Sequence, residues 1–317
     1  MMPFFFKYES NSLLRNVIGG VYLGDIGTGL FFILSGVLLE YLYSDIVLDW
    51  HSLRLFYVKR IKSIYPLYWS AYFCVTLVLL PFRDFNVHSL QYFPLSVLGL
   101  DGFLATVGFS QAGMYYKVGE WFLGCIVCVY VVYPFFAAFF HKYPWLCTIL
   151  TLTVYGCFIH RLSPAWFFFQ FPYFLLGMSW SRWWGSAKNK WLWITTAAAV
   201  ILRIALNDSL ASWTKAIVLN WTLFLTIILI CELFPIQNEK VLRKLKYLSF
   251  LTYPIFLVHH QIISNICRHL NLAVWSYWKT LILFLIYSIL CILAAKIIVC
   301  IKDLALGAWG KIRAGNS

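Results

Sequence analysis

The sequence predicts an all-α fold: a polytopic membrane helical bundle of about nine transmembrane helices. Three observations lead there. Hydrophobic residues make up 62% of the 317-residue chain and charged residues only 12%, where a soluble domain needs roughly a quarter charged to cover itself with a hydrated surface. Apolar stretches of about 20 residues recur, and a helix of that length crosses about 30 Å of hydrocarbon. Aromatic residues reach 20% and gather with basic ones in clusters such as Ser179-Trp180-Ser181-Arg182-Trp183-Trp184, the type that settles at a headgroup boundary.

Charge and cysteine content then exclude other classes. A net charge of +13 would suit a nucleic-acid binder if it formed one face, but the basic residues lie scattered in short bridges between apolar stretches, so no nucleic acid is expected as a partner. Most of the cysteines, Cys74, Cys125, Cys128, Cys157, Cys231 and Cys291 among them, sit inside apolar stretches, where Cys acts as a small hydrophobe. No disulfide or metal site is assigned. Cys125-Ile126-Val127-Cys128 has no second pair for zinc, Gly24-x-x-Gly27-x-Gly29 opens a span rather than following a strand, and Ser212-x-x-Lys215 has no companion motif.

In chain order, residues 1–22 are an outward segment that reads as the end of a further helix, without the apolar centre and cleavage site of a signal peptide. Spans are expected at Leu23 to Tyr43, Tyr65 to Leu80, Gly119 to Phe140, Trp145 to Ile159, Ala165 to Trp184, Trp191 to Leu206, Lys215 to Phe234, Leu248 to Cys267 and Trp275 to Ile301. Between the first two, Ser44 to Ile64 reads as a polar bridge, with Pro66 placed to open the second helix. Phe82 to Val118 is broken by glycines and Asp101 and reads as a loop folded onto the membrane surface. Residues 23–301 form the membrane domain and 302–317 a short basic tail. The bridges rich in Lys and Arg fall on one side, which the positive-inside rule assigns to the cytoplasm. The C-terminus is then inside and, with an odd number of spans, the N-terminus outside. Translocating that N-terminus asks for one more helix before Met1.

Ionisable groups inside a membrane are the shortlist for chemistry, since each costs about 2.5–3.5 kcal/mol at a helix centre unless it faces protein or water. His259 and His260 lie deep in the eighth span. Neighbours on a helix point about 100° apart, so one can face the bundle as a neutral base while the pair cannot chelate; the competing reading is a buried histidine satisfying a hydrogen bond. Asp25 and Glu120 fall at outward span ends, where they could accept hydrogen bonds from sugar hydroxyls or simply complement helix N-termini. Arg60, with Lys59 and Lys62, stands at the cytoplasmic mouth; it suits a phosphate-rich donor through its bidentate fork, or serves only as topology-setting charge.

Four ordered stretches carry a resemblance over nearly the whole chain. They are Gly24 to Gly36 (GDIGTGLFFILSG), Lys59 to Pro66 (KRIKSIYP), Gly119 to Gly124 (GEWFLG) with Tyr133-Pro134, and Ser249 to His260 ending in LVHH. Together they resemble the acyltransferase-3 family of bacterial integral-membrane O-acyltransferases. The resemblance implies transfer of an acyl group, usually acetyl, from a cytosolic acyl-CoA to a hydroxyl of a cell-surface or lipid-linked saccharide. It implies acyl-CoA as donor substrate with no bound cofactor, a bacterial cytoplasmic-membrane location, and membrane lipids as surroundings. The expected roles are His259 and Glu120 in catalysis, Arg60, Lys59 and Lys62 on the donor, and Asp25 and Trp121 on the acceptor. Two departures stand out: Ser63 occupies the second position of the family's R-x-x-R loop, and the family's proposed catalytic histidine belongs to an additional first helix that this sequence does not contain. The rival from another class is a transporter or flippase for a sugar or lipid-linked glycan, with Pro134, Pro172 and Pro254 as helix breaks, although paired repeats are not visible.

Overall fold

The computed structural model describes residues 17–18, 21–79, 92–100, 103–104, 118, 120–158, 167–183, 194, 196–198, 200–201, 212–269 and 276–315. Most of the expected surface loop at 82–118, most of the sixth span at 191–206 and residues 1–16 lie outside them. The described residues are helical apart from short connections and one two-stranded ladder, β1 (Val17–Ile18) antiparallel to β2 (Val21–Tyr22). In order the helices are α1 (Leu23–Tyr43), α2 (Trp50–Leu79), α3 (Phe93–Leu98), α4 (Glu120–Lys142), α5 (Pro144–Phe158), α6 (Phe167–Trp183), α7 (Ser212–Leu233), α8 (Glu239–His269) and α9 (Tyr277–Gly315). Four stretches among them, Gly24–Tyr43, Trp121–Lys142, Thr214–Leu233 and Trp278–Ala308, are long and apolar enough to cross a membrane. Their exposed Leu, Ile, Val and Phe side chains form the surface that hydrocarbon would cover.

Two expected bridges and most of the expected basic tail are helical instead. Ser44 to Ile64 is not a polar bridge: α2 begins at Trp50 and runs 30 residues with Pro66 inside it, so Pro66 does not open a helix. The reason is a buried stripe at helical spacing, Phe56, Ile64, Leu67, Tyr68, Ala71 and Tyr72, which continues through the basic run. Asp49 caps the helix: its carboxylate accepts from the Ser52 backbone N–H at 3.0 Å and from the Ser52 hydroxyl at 2.7 Å. Those bonds hold its carboxyl below the ordinary carboxylate range, so the cap is complete above that range and is lost as pH falls through the depressed value. The basic stretch 239–247 is likewise the first part of α8, and α9 continues past Ile301 to Gly315.

The chain divides into two compact units, one of residues 1–13, 55–127 and 240–317, the other of residues 14–54 and 128–239. In the second unit α1 and α6 touch backbone to backbone. A Cβ on Gly36 would meet the Phe174 carbonyl, and one on Gly177 the Ile33 carbonyl. The Tyr133 hydroxyl donates to the Leu39 carbonyl at 2.9 Å, and its ring meets Phe174 edge-on at 6.0 Å. Gly177→Val is therefore expected to destabilise the folded protein by about 3 kcal/mol, read as a lowered melting temperature in detergent. An unchanged melting temperature would show that the two helices can part at no cost.

In the first unit α3 ends at Gly99, which adopts φ 71°. The Gly99 N–H donates to the Ser96 carbonyl at 3.0 Å and the Leu100 N–H to the Leu95 carbonyl at 2.9 Å, a Schellman closure that favours glycine at this position. Aromatic side chains of α2 reach the same helix end: the Tyr65 hydroxyl donates to the Leu98 carbonyl at 3.1 Å, Trp69 Nε1 to the Val97 carbonyl at 2.9 Å, and the Tyr68 hydroxyl to the Ser96 carbonyl. The bonds from Tyr65 and Trp69 satisfy carbonyls at the helix end, and all three seat α3 on α2.

Candidate active site

Three of the four sequence motifs meet in the first unit, through α2, the start of α4 and α8. Residue 124 must be glycine-sized because a Cβ there would meet Phe103 and the Gly99 carbonyl. That close approach sets the first turns of α4 against the α3 turn. From them Trp121 and Phe122 begin a series of rings: Trp121 to Phe122 at 6.1 Å, Phe122 to Phe256 at 4.8 Å, Phe256 to His259 at 5.5 Å and His259 to His260 at 4.8 Å. The WF of GEWFLG and the FLVHH of α8 thus share one aromatic wall. The Tyr253 hydroxyl, on α8, donates to the Ile64 carbonyl at 3.3 Å, joining the wall to the end of the basic run.

His259 is half-buried and doubly held. Its Nδ1 is 2.6 Å from the Phe256 carbonyl, and the Tyr287 hydroxyl of α9 donates to the His259 carbonyl at 3.3 Å. A carbonyl only accepts, so this contact calls for a proton on Nδ1, and a neutral ring held this way would carry its lone pair on Nε2. By helical rise His259 stands about 30 Å from the α8 start at Glu239. Nearby, an apolar cavity of about 220 Å³ between α2, α8 and α9 is walled by Val75, Val258, Ile262 and Ile298, with Gln261 and Asn265 as its polar members. His259 is not part of its wall.

The residues of the basic run separate by burial. Lys59 and Lys62 are exposed, whereas Arg60 is half-buried, its guanidinium carbon 5.8 Å from the centroid of the buried Phe56 ring. Arg60 is thus the member of the run whose head is held in place. Glu120 opens α4; its side chain lies outside the described residues. Asp25 belongs to the second unit, half-buried in the first turn of α1, where its backbone carbonyl accepts from Asn220 Nδ2 at 3.4 Å.

The sequence model of the acyltransferase-3 family, described as an acyltransferase domain, matches residues 1–300. The chain belongs to the acyltransferase-3 family. No curated protein and no solved structure matches it. As an acyltransferase-3 member it is a membrane protein of the acyltransferase class, and the ring series from Trp121 to His260 is assembled from two of the stretches that carry the family likeness.

One site in this acyltransferase-3 chain was not anticipated. In the second unit Glu40 of α1 is 1% exposed, and its Oε1 lies 2.8 Å from His141 Nε2 of α4 and 3.5 Å from Arg182 NH1 of α6; the two basic side chains are 20% and 34% exposed. Among the described residues Glu40 Oε2 is buried without a hydrogen-bond partner. The two basic side chains offset the cost of burying this carboxylate. The sequence does show all three at span ends; it gives no sign that the ends coincide.

Proposed function

We propose that this acyltransferase-3 protein transfers an acyl group, acetyl in the simplest case, from a cytosolic acyl-CoA to a hydroxyl of a cell-surface or lipid-linked saccharide, across a bacterial cytoplasmic membrane with its C-terminus inside. The observation that supports it most is the contact of His259 Nδ1 with the Phe256 carbonyl, beside the aromatic wall shared with GEWFLG. In this reading Nε2 takes the proton from the acceptor hydroxyl as the hydroxyl oxygen attacks the thioester carbonyl. The C–S bond breaks as the ester C–O bond forms, and the departing thiolate takes up the proton to leave as free coenzyme A. Glu120 assists His259 in catalysis and Trp121 holds the acceptor at the start of α4. Arg60 grips the donor phosphates with help from Lys59 and Lys62.

Inverted membrane vesicles given labelled acetyl-CoA test this. Label is expected to enter saccharide or lipid-linked glycan; label confined to unreacted donor and free acetate would sink the reading. Arg60→Ala is expected to raise the KM for acetyl-CoA about 10- to 100-fold, the loss of a charge-assisted bond, with kcat little changed. Lys59→Ala and Lys62→Ala, at exposed positions, should each change it less than about threefold. A KM unmoved by Arg60→Ala would remove the donor assignment.

A further inference from the structure

At the other end of α8 from the histidines, every residue from Glu239 to Phe250 is exposed. The stretch is nonetheless two-faced. At 100° per residue Val241, Leu242, Leu245 and Leu248 gather on one side, while Lys240, Arg243, Lys244 and Lys246 occupy the opposite arc together with Tyr247 and Phe250. That second face looks onto α9. Between the two helices runs a groove of about 520 Å³, walled by Tyr247, Phe250 and Leu251 of α8 and by Lys296, Val299 and Leu304 of α9. Lys296 Nζ stands 6.0 Å from the Tyr247 ring centroid and Lys302 Nζ 5.8 Å from that of Phe250. Arg243 and Lys246 sit one helical turn before Tyr247 and Phe250 on the same face. Asp303 also lines the groove, and its Oδ1 holds Lys302 Nζ at 2.7 Å.

We infer that this groove is a binding site for an anionic phospholipid, its phosphate held among Lys296, Lys302, Arg243 and Lys246 and one acyl chain laid along Leu251, Val299 and Leu304. Charge complementarity decides the occupant. Lys296 and Asp303 line the groove, Lys302 stands beside it against the Phe250 ring, and the face of α8 leading to it carries Arg243 and Lys246 with Glu239 at its start; the surroundings are net positive and the floor is apolar, so the ligand must carry negative charge at one end and hydrocarbon at the other. The location agrees: α9 spans 39 residues, about 58 Å by helical rise, far more than a bilayer core of about 30 Å. Part of it must therefore extend beyond the hydrocarbon, and in this reading Lys296 and Lys302 mark the headgroup level. A zwitterionic lipid offers the same chain without net charge, and a free phosphate offers the charge without the chain.

Native mass spectrometry of the purified full-length chain in neutral detergent reads the site directly. Phosphatidylglycerol is expected to be retained and phosphatidylcholine shed. Lys296→Gln and Lys302→Gln should each weaken phosphatidylglycerol retention about fivefold, while Lys296→Arg keeps it. Asp303→Asn releases Lys302 from its carboxylate and should tighten retention, a gain that misfolding cannot imitate. Equal retention of phosphatidylcholine, or phosphatidylglycerol retention unchanged in both Lys296→Gln and Asp303→Asn, would overturn the inference. So would displacement of bound phosphatidylglycerol by equimolar free coenzyme A, which would assign the groove to the donor nucleotide, or by equimolar inorganic phosphate, which would show that the chain adds nothing.

Discussion

His259→Ala is expected to lower acyl transfer by about 10²- to 10⁴-fold, the span of a lost general base, while the protein still folds and still binds acyl-CoA. A base in the proposed role needs one defined nitrogen facing the acceptor, and the contact of Nδ1 with the Phe256 carbonyl would supply that definition. His259→Gln keeps a polar side chain of similar reach but has no basic nitrogen, so it should be as inactive as alanine. His260→Ala provides the contrast: its ring lies at the end of the aromatic series, and its loss should cost less than about tenfold. The measurement is the initial rate of label transfer in vesicles matched for protein content. If His259→Gln keeps more than a tenth of the rate, the residue is a packing element and not the base.

The largest stability effect is expected in the second unit. Replacing His141 and Arg182 together by alanine leaves the Glu40 carboxylate buried and unpaired, at a cost of about 3–5 kcal/mol. Adding Glu40→Leu to that double variant should return most of the loss, because an apolar side chain has no charge to desolvate. Denaturant unfolding of the single, double and triple variants gives the comparison. A triple variant no more stable than the double would mean that the site is held by packing around the helix ends rather than by charge.

Helix existence was legible because periodic apolar content needs no tertiary information. α1 matches its expected bounds at both ends, and α5, α6 and α7 lie within about three residues of theirs, the usual uncertainty of helix ends. The bridges were read as polar because Lys59, Arg60 and Lys62 dominate the composition, yet their spacing leaves Phe56 and Ile64 on a buried stripe. Of the candidate residues, Arg60 and His259 could be chosen from type and position, and the ring that links GEWFLG to LVHH could not, since Phe122 and Phe256 touch only through folding. The Glu40 site was illegible for the same reason. Its three members come from three helices far apart in the chain, and no local pattern registers that their ends converge.

The close approach of Gly36 and Gly177 also sets a clock. Ribosomes add about 5–20 residues per second, and the two glycines are separated by about 140 residues, so α1 enters the membrane roughly 7–30 s before α6 has been synthesised. Through that interval Glu40 has neither Arg182 nor, for most of it, His141 beside it. The nascent helix must meanwhile leave this side chain at the water boundary or lean on the insertion machinery. Biogenesis of this protein, more than its finished form, is where a defect at residue 36, 40 or 177 would first be felt.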